Sequence, residues 1–217
     1  MRKLILKMSI SLDGFVGTEK SEVDWIFPTM DEGAVAWTIN SVWRAGAHIM
    51  GSRTFHDMAS YWPYSDEVYA APMNAIPKVV FSKDPTITTT ATRSTTQAIR
   101  DASRASGTRA DAPKSNPETE ESWRNARVMS GDLASDIALL KSEPGNDIMA
   151  HGGAGFARSL VRFDLVDEYQ LLVHPVALGR GLPIFSELPK PVALQLVSAT
   201  AFPGGNVAHV YRRRRES

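Results

Sequence analysis

Asp147-Ile148-Met149-Ala150-His151-Gly152-Gly153-Ala154-Gly155-Phe156 is the stretch on which the fold turns. Its first half is a short, mostly apolar run without alternation, the pattern of a strand buried on both faces of a sheet. Three glycines within four residues follow at once, and Phe156, Leu160 and Val161 then recur at helical spacing. In such a strand, glycine turn and helix, backbone N–H groups approach a phosphate closely and the helix N-terminus adds a favourable dipole. The recipe also occurs earlier. Ala47-His48-Ile49-Met50 runs into Gly51-Ser52-Arg53-Thr54-Phe55, where two hydroxyls and a guanidinium accompany the glycine. No Gly-Lys-Ser/Thr follows either turn, and the later one is not a GxGxxG on the first strand, so neither a P-loop nor a Rossmann fingerprint is present. Tight strand–helix packing is the other use of such glycines. Two of them, each on a strand–helix junction, favour a dinucleotide.

Working outward, Leu4 to Ile10 reads as a buried strand ending in the turn Ser11-Leu12-Asp13-Gly14, with a loop Asp24-Trp25-Ile26-Phe27-Pro28 beyond it. A helix begins near Asp31 and Glu32, with Val35, Ile39, Val42 and Gly46 on one face, and the helix after Gly51 stops before Trp62-Pro63. Lys78 to Ser82 and Ala126 to Ser130 are further strands. Leu133, Ile137 and Leu140 mark a helix closed by Glu143-Pro144-Gly145. After Asp164 only strand-like runs remain, within Val166–Leu178, Val192–Ala199 and Val207–Arg213. This order predicts one α/β domain over residues 1–217, doubly wound, its mostly parallel central sheet carrying antiparallel C-terminal strands. Residues 86–120 interrupt it with a polar stretch that has no Leu, Ile, Val, Met or Phe between Ile99 and Trp123. Such a segment buries too little surface to offset its ordering entropy, so a partly disordered insertion is expected there, with a short helix near 95–105.

Composition narrows the function. Lys plus Arg and Asp plus Glu are 24 each, so the net charge is zero and no general pull toward nucleic acid or a membrane surface is expected. The sequence has no Cys, which excludes disulfides and thiolate chemistry. His48, His56, His151, His174 and His209 lack metal-ligand spacing, so no metal is expected. No apolar run is long enough to span a bilayer, and Lys7 interrupts the place of a signal-peptide core. A cytoplasmic location is the expectation. Arg212 to Arg215 reads as a solvated basic terminus.

The motifs Ser11-Leu12-Asp13-Gly14-Phe15, Gly51-Ser52-Arg53-Thr54-Phe55, Val79-Val80-Phe81-Ser82-Lys83, Ser130-Gly131-Asp132-Leu133 and Gly152-Gly153-Ala154-Gly155 together resemble the dihydrofolate reductase superfamily. More closely, the chain is similar to the C-terminal reductase domain of the bifunctional riboflavin-biosynthesis deaminase–reductase and its stand-alone bacterial relatives. The most specific piece runs from Leu165-Val166-Asp167-Glu168-Tyr169 through Val173-His174-Pro175-Val176-Ala177-Leu178-Gly179-Arg180-Gly181-Leu182-Pro183-Ile184-Phe185. The likeness spans residues 2–84 and 122–213. It implies a dihydrofolate reductase-like three-layer αβα fold and NADPH along the carboxyl edge of the sheet. By position, Gly51, Ser52, Arg53, Thr54 and Phe55 would hold the phosphate region, with Arg53 on the adenosine 2′-phosphate. Ser82 and Lys83 would contact the adenosine side, and Gly152, Gly153, Ala154, Gly155 and Phe156 the pyrophosphate. The chain departs from the commoner wording in having Ser52 where an Arg directly follows the first glycine.

The implied activity is an oxidoreductase of riboflavin biosynthesis acting on a small heterocycle, as in 5-amino-6-(5-phosphoribosylamino)uracil reductase. The deaminase half, with its zinc ligands, is absent. A homodimer through the C-terminal strands is implied as well. On the substrate side Asp13 is the one weak catalytic candidate, placed to hydrogen-bond a pyrimidine or pterin-like ring, or simply to cap its own turn. Asp24 and Trp25 are lid candidates that would bind substrate, with a core-edge plug as the alternative for Trp25. Trp37 and Trp43 read as core or dimer packing, His151 as structural, and His174 as part of the dimer-type strand region. Dihydrofolate reductase activity, or a non-catalytic nucleotide- or drug-binding dimer of the same fold, are the competing functions.

Overall fold

Alternation along the strands sets the architecture. Leu4, Leu6 and Ile10 of β1 (Leu4–Ser11) are buried on one face of the sheet, while Ile5 packs into a separate cluster on the other. The remaining strands are β2 (Ala47–Gly51), β3 (Lys78–Phe81), β4 (Arg127–Met129), β5 (Ile148–Ala150), β6 (Glu168–His174), β7 (Leu194–Ala201) and β8 (Val207–Arg213). They form one sheet in the order β4-β3-β2-β5-β1-β6-β8-β7. Every neighbouring pair from β4 to β6 is parallel, and β8 runs antiparallel to both β6 and β7. The structure is a computed structural model and describes residues 1–84, 87 and 117–214.

Helices cover both faces, giving three layers. α1 (Glu32–Trp43), α2 (Ser52–Ala59), α3 (Ala70–Ala75) and α4 (Pro117–Arg124) place Val42, Phe55, Met73 and Trp123 against Ile5, Met50, Val80 and Met149. On the other face, α5 (Leu133–Ser142) and α6 (Ala154–Arg162) pack Ile137, Leu140, Ala157, Leu160 and Val161 against Leu4, Leu6, Ile49 and Ile148. Asp31 caps α1 by accepting from the Ala34 N–H at 2.8 Å, and Asp132 caps α5 from the Ser135 N–H at 3.0 Å.

The structure departs from the expected elements in the facing of α1, in a helix that begins at Pro117 and in one added helix, α3 (Ala70–Ala75). The buried side of α1 is Ala34, Ser41 and Val42, with Val35 and Ile39 only half-buried, because small side chains let the helix seat closely on the sheet. The expected insertion lies outside the described residues up to residue 116, Ile87 excepted, and so does the helix expected near 95–105. From Pro117 the chain is already helical, since Trp123 anchors α4 at 2% exposure. α3, unforeseen, fills part of the stretch between Trp62-Pro63 and Lys78. Arg212 and Arg213 end β8, within the strand expected over Val207–Arg213; their side chains stay exposed and pair with Glu168 (3.0 Å) and Asp164.

Candidate active site

Parallel pairing brings the carboxyl ends of β1, β2, β3, β5 and β6 to one edge, and with them the turns after Ser11, Gly51, Phe81, Ala150 and His174. The chain leaves β1 for β2 and returns later to lay β5 between them. That reversal of strand order is the switch point where open α/β sheets hold ligands. The two glycine turns meet there. The Gly51 N–H donates to the Gly152 carbonyl (3.4 Å), and the Gly153 N–H donates to Thr54 Oγ1 (2.6 Å). The Gly152–Gly153 peptide is cis, and Gly152 has φ +92°.

At three of the glycines a Cβ would crowd the protein's own packing. A Cβ at Gly51 would sit 3.3 Å from Phe156 Cβ, one at Gly152 3.1 Å from Met8 Cε, and one at Gly153 2.9 Å from Thr54 Oγ1. Gly155 differs, since a Cβ there would meet nothing within 4 Å. Open space therefore lies over the first turn of α6. The N-caps of α2 and α6 are Gly51 and Gly153, and among the described residues neither helix start receives a side-chain cap. Two helix N-termini with free donors thus converge beside open space, a fit for the phosphates of a dinucleotide.

Arg53 is exposed on α2, and its charge offsets part of the upward push that burial gives the Asp57 carboxyl. Ser82 lies on the adjacent strand end, where its Oγ accepts from the Asp84 N–H (3.1 Å), and Lys83 is exposed next to it. Phe55 departs from its expected place: its side chain is fully buried in the core, with its ring centroid 5.8 Å from that of Trp123. Phe156 stacks at a tilt on Phe81 at 5.1 Å and walls the loop.

Asp13 is engaged as a brace. Its carboxylate accepts from Ser11 Oγ (2.6 Å) and from the Leu178 (3.1 Å) and Gly179 (2.7 Å) N–H groups, which hold its pKa below the usual carboxylate range. It ties the β1 turn to the loop leaving β6. Asp24 is exposed at the start of a 3₁₀ turn, Asp24–Thr29. Trp25 in that turn is half-buried, its ring 5.4 Å from the His174 ring and perpendicular to it.

The structure adds Lys7, which the sequence reading did not offer as a site residue, and sets His151 and His174 beside the site. Lys7 lies in β1, directly opposite Gln170 of β6. It is partly buried and has no carboxylate partner among the described residues; its amine stands 5.4 Å from the Trp37 ring centroid. Burial lowers its pKa to about 8. His151, at the start of the glycine turn, is pushed well below its ordinary value by burial and by His48, Lys7 and Lys78. Burial and Lys7 bring His174 to about 4. Both rings are therefore neutral at physiological pH, leaving Lys7 as the cation among them. The available signal was a lysine inside an otherwise apolar strand. Among the described residues no group of three His, Cys, Asp or Glu could hold a metal ion. A separate groove at Leu194, Gln195 and Arg214 opens at the opposite edge of the sheet.

Fold and edge together define a dihydrofolate reductase-like α/β protein whose paired glycine turns meet at the switch point of the sheet. The chain belongs to the RibD C-terminal domain family, whose pattern it matches over residues 2–208. It is 27% identical to the uncharacterized protein YyaP of Bacillus subtilis strain 168, over 97% of this chain and 94% of that one. Among solved structures, the diaminohydroxyphosphoribosylaminopyrimidine deaminase/5-amino-6-(5-phosphoribosylamino)uracil reductase of Thermotoga maritima shares the fold with a TM-score of 0.61 and 13% identity. The match covers 98% of this chain and 57% of that one. The dihydrofolate reductase of Enterococcus faecalis, solved with NADP(H) and RAB-propyl, aligns with a TM-score of 0.58 at 12% identity, covering 98% and 97% of the two chains. Among the described residues no helix is long and apolar enough to cross a membrane.

Proposed function

We propose that this protein is an NADPH-dependent reductase of a small heterocycle, with 5-amino-6-(5-phosphoribosylamino)uracil the first substrate to test. One observation carries the reading: two uncapped helix N-termini converge at the switch point of the sheet, beside open space at Gly155. Backbone donors of Ser52 to Thr54 and Ala154 to Phe156 would bind the phosphates, Arg53 the 2′-phosphate, and Ser82 and Lys83 the adenosine side. The cofactor, when bound, supplies a hydride. Lys7 holds a proton at Nζ for the nitrogen or oxygen left negative as a C=N or C=O bond is reduced. Trp25 and Asp24, on a turn without buried residues, border the substrate side. Dihydrofolate reduction is the weaker reading, because Asp31, the acid at the start of α1, is spent on the Ala34 N–H (2.8 Å) and the Gly204 N–H (2.5 Å).

Titration with NADPH should quench tryptophan fluorescence, and NADPH should be oxidised when the aminopyrimidine is added. Failure to bind at any soluble NADPH concentration would overturn the reading. Arg53→Ala is expected to weaken NADPH about 10–100-fold, the loss of a charge-assisted pair, and to leave NADH unchanged. Equal losses for both cofactors would remove Arg53 from the 2′-phosphate.

A homodimer belongs to the same proposal. β7 is one of the two edges of the sheet among the described residues; it has no charged residue and no Pro, a single register shift between Leu196 and Ser198, and is exposed from Gln195 to Ala201. Leu196 is 53% and Val197 46% exposed. Soluble proteins rarely leave such an edge unprotected, and a second copy of the strand would cover it. Light scattering should give twice the chain mass for the wild type and a monomer for Leu196→Lys. A monomeric wild type would refute the pairing.

A further inference from the structure

Several buried side-chain atoms lack a hydrogen-bond partner among the described residues, and His174 Nε2 is the one that lies beneath Trp25. His174, at the carboxyl end of β6 and paired in register with Ser11, is 0% exposed. Its Nδ1 lies 2.8 Å from Thr29 Oγ1. The single hydroxyl proton of Thr29 is donated to the Ile26 carbonyl, 3.1 Å away. Thr29 Oγ1 is thus free only to accept, so the imidazole donates from Nδ1 and its Nε2 is left as a bare lone pair. That Nε2 is buried and has no hydrogen-bond partner among the described residues. The ring stays neutral, with its pKa brought down to about 4 by burial and by Lys7, so protonation does not relieve it. Folded proteins leave few buried acceptors unmet, and each one left calls for a partner such as a water, an ion or a ligand.

The surroundings suit a ligand. His174 stands at the same edge as the glycine turns, and the Trp25 ring, 5.4 Å away and perpendicular, borders it. Trp25 rides on the Asp24–Thr29 turn, none of whose residues is buried, and its Nε1 donates to the Glu22 carbonyl (3.3 Å), so little apolar packing fixes the ring over His174. We propose that His174 is a specificity-determining residue whose Nε2 accepts a hydrogen bond from an N–H of the substrate heterocycle. The substrate class it selects is a lactam- or amine-bearing ring such as a uracil, against rings that present only acceptors at that edge. This rests on the reductase reading given above.

Two substitutions separate recognition from clasping. His174→Gln brings an amide oxygen near the position of Nε2, whereas His174→Asn keeps a donor toward Thr29 and has nothing at Nε2. With 5-amino-6-(5-phosphoribosylamino)uracil as substrate, the Gln variant should hold KM near the wild-type value. The Asn variant should raise it about tenfold or more, as expected for one lost hydrogen bond. NADPH affinity should be unchanged in both. Asn performing as well as Gln, or better, overturns the proposal and makes His174 a clasp for the turn. A second measurement does not depend on the variants folding. In the wild type, ¹⁵N-histidine spectra at neutral pH should show Nδ1 protonated and Nε2 bare, and the aminopyrimidine should move the Nε2 resonance. A protein that neither binds NADPH nor turns over overturns the reductase reading. One that turns over with Nε2 unmoved overturns this proposal alone.

Discussion

Lys7→Met is expected to stabilise the fold and to remove most of its turnover. Lys7 sits on β1 between β5 and β6, partly buried, with no carboxylate partner among the described residues and a pKa lowered from 10.5 to about 8 by burial. A desolvated cation of that kind costs stability, and a methionine of similar length fills the same space without the charge. The gain should be on the order of 1 kcal/mol, read as a higher denaturant midpoint. The pH dependence follows from the lowered pKa. Between about pH 8 and 10.5 the unfolded lysine is still protonated while the native one is not. Wild-type stability therefore rises with pH across that window, and the variant should lose the slope. Activity moves the other way. With no proton held at Nζ, kcat/KM should fall by about 10²–10³. The wild-type rate should decline above about pH 8 as the ammonium is lost. NADPH affinity should change little. A variant with near-normal kcat would exclude Lys7 as the proton source.

The sheet was legible because its strands are short apolar runs separated by turn residues, and such runs need no knowledge of their partners. Leu4 to Ile10 and Val207 to Arg213 agree with β1 and β8 to within a residue. α1 was legible as a helix but not in its facing. Large apolar residues draw the eye to Val35 and Ile39, whereas close packing on the sheet chose Ala34 and Ser41. α4 was hidden because a single tryptophan does the work that a helix usually spreads over a stripe. The glycine turns announced a site but not which glycine serves it. Only distances separate Gly51 and Gly153, where a Cβ would crowd the protein's own packing, from Gly155, where it would not. Lys7 was missed, and His174 was assigned to the dimer-type strand region, for a related reason. A strand pattern says which face a side chain takes, but not that the face lies under Trp25 and Trp37.

Trp123→Ala should be the most destabilising single truncation in α4, at about 3–5 kcal/mol. Among the described side chains of α4 only Trp123 is buried, so it supplies the helix's apolar anchor, beside the polar ties of Thr119 to the Pro63 carbonyl (3.0 Å) and of Ser122 to Lys78 (2.8 Å). Its loss does more than open a cavity beside Phe55. Trp123 Nε1 donates to Asn74 Oδ1 at 2.7 Å, and that acceptor would be stranded in the core. The ring also lies under the Lys78 amine, 4.5 Å from its centroid. Lys78 is 2% exposed, donates to the Asn74 carbonyl (2.9 Å) and Ser122 Oγ (2.8 Å), and has its pKa lowered to about 7 by burial. Below that pH the native ammonium leans on the π face of the ring, and above it the neutral amine does not. The cost of Trp123→Ala, read by urea unfolding, should therefore be larger at pH 6 than at pH 8.5. Adding Lys78→Met should recover part of it, giving a double mutant less unstable than the sum of the two single changes. A cost independent of pH and strictly additive with Lys78→Met would mean that the ring holds α4 by apolar burial alone.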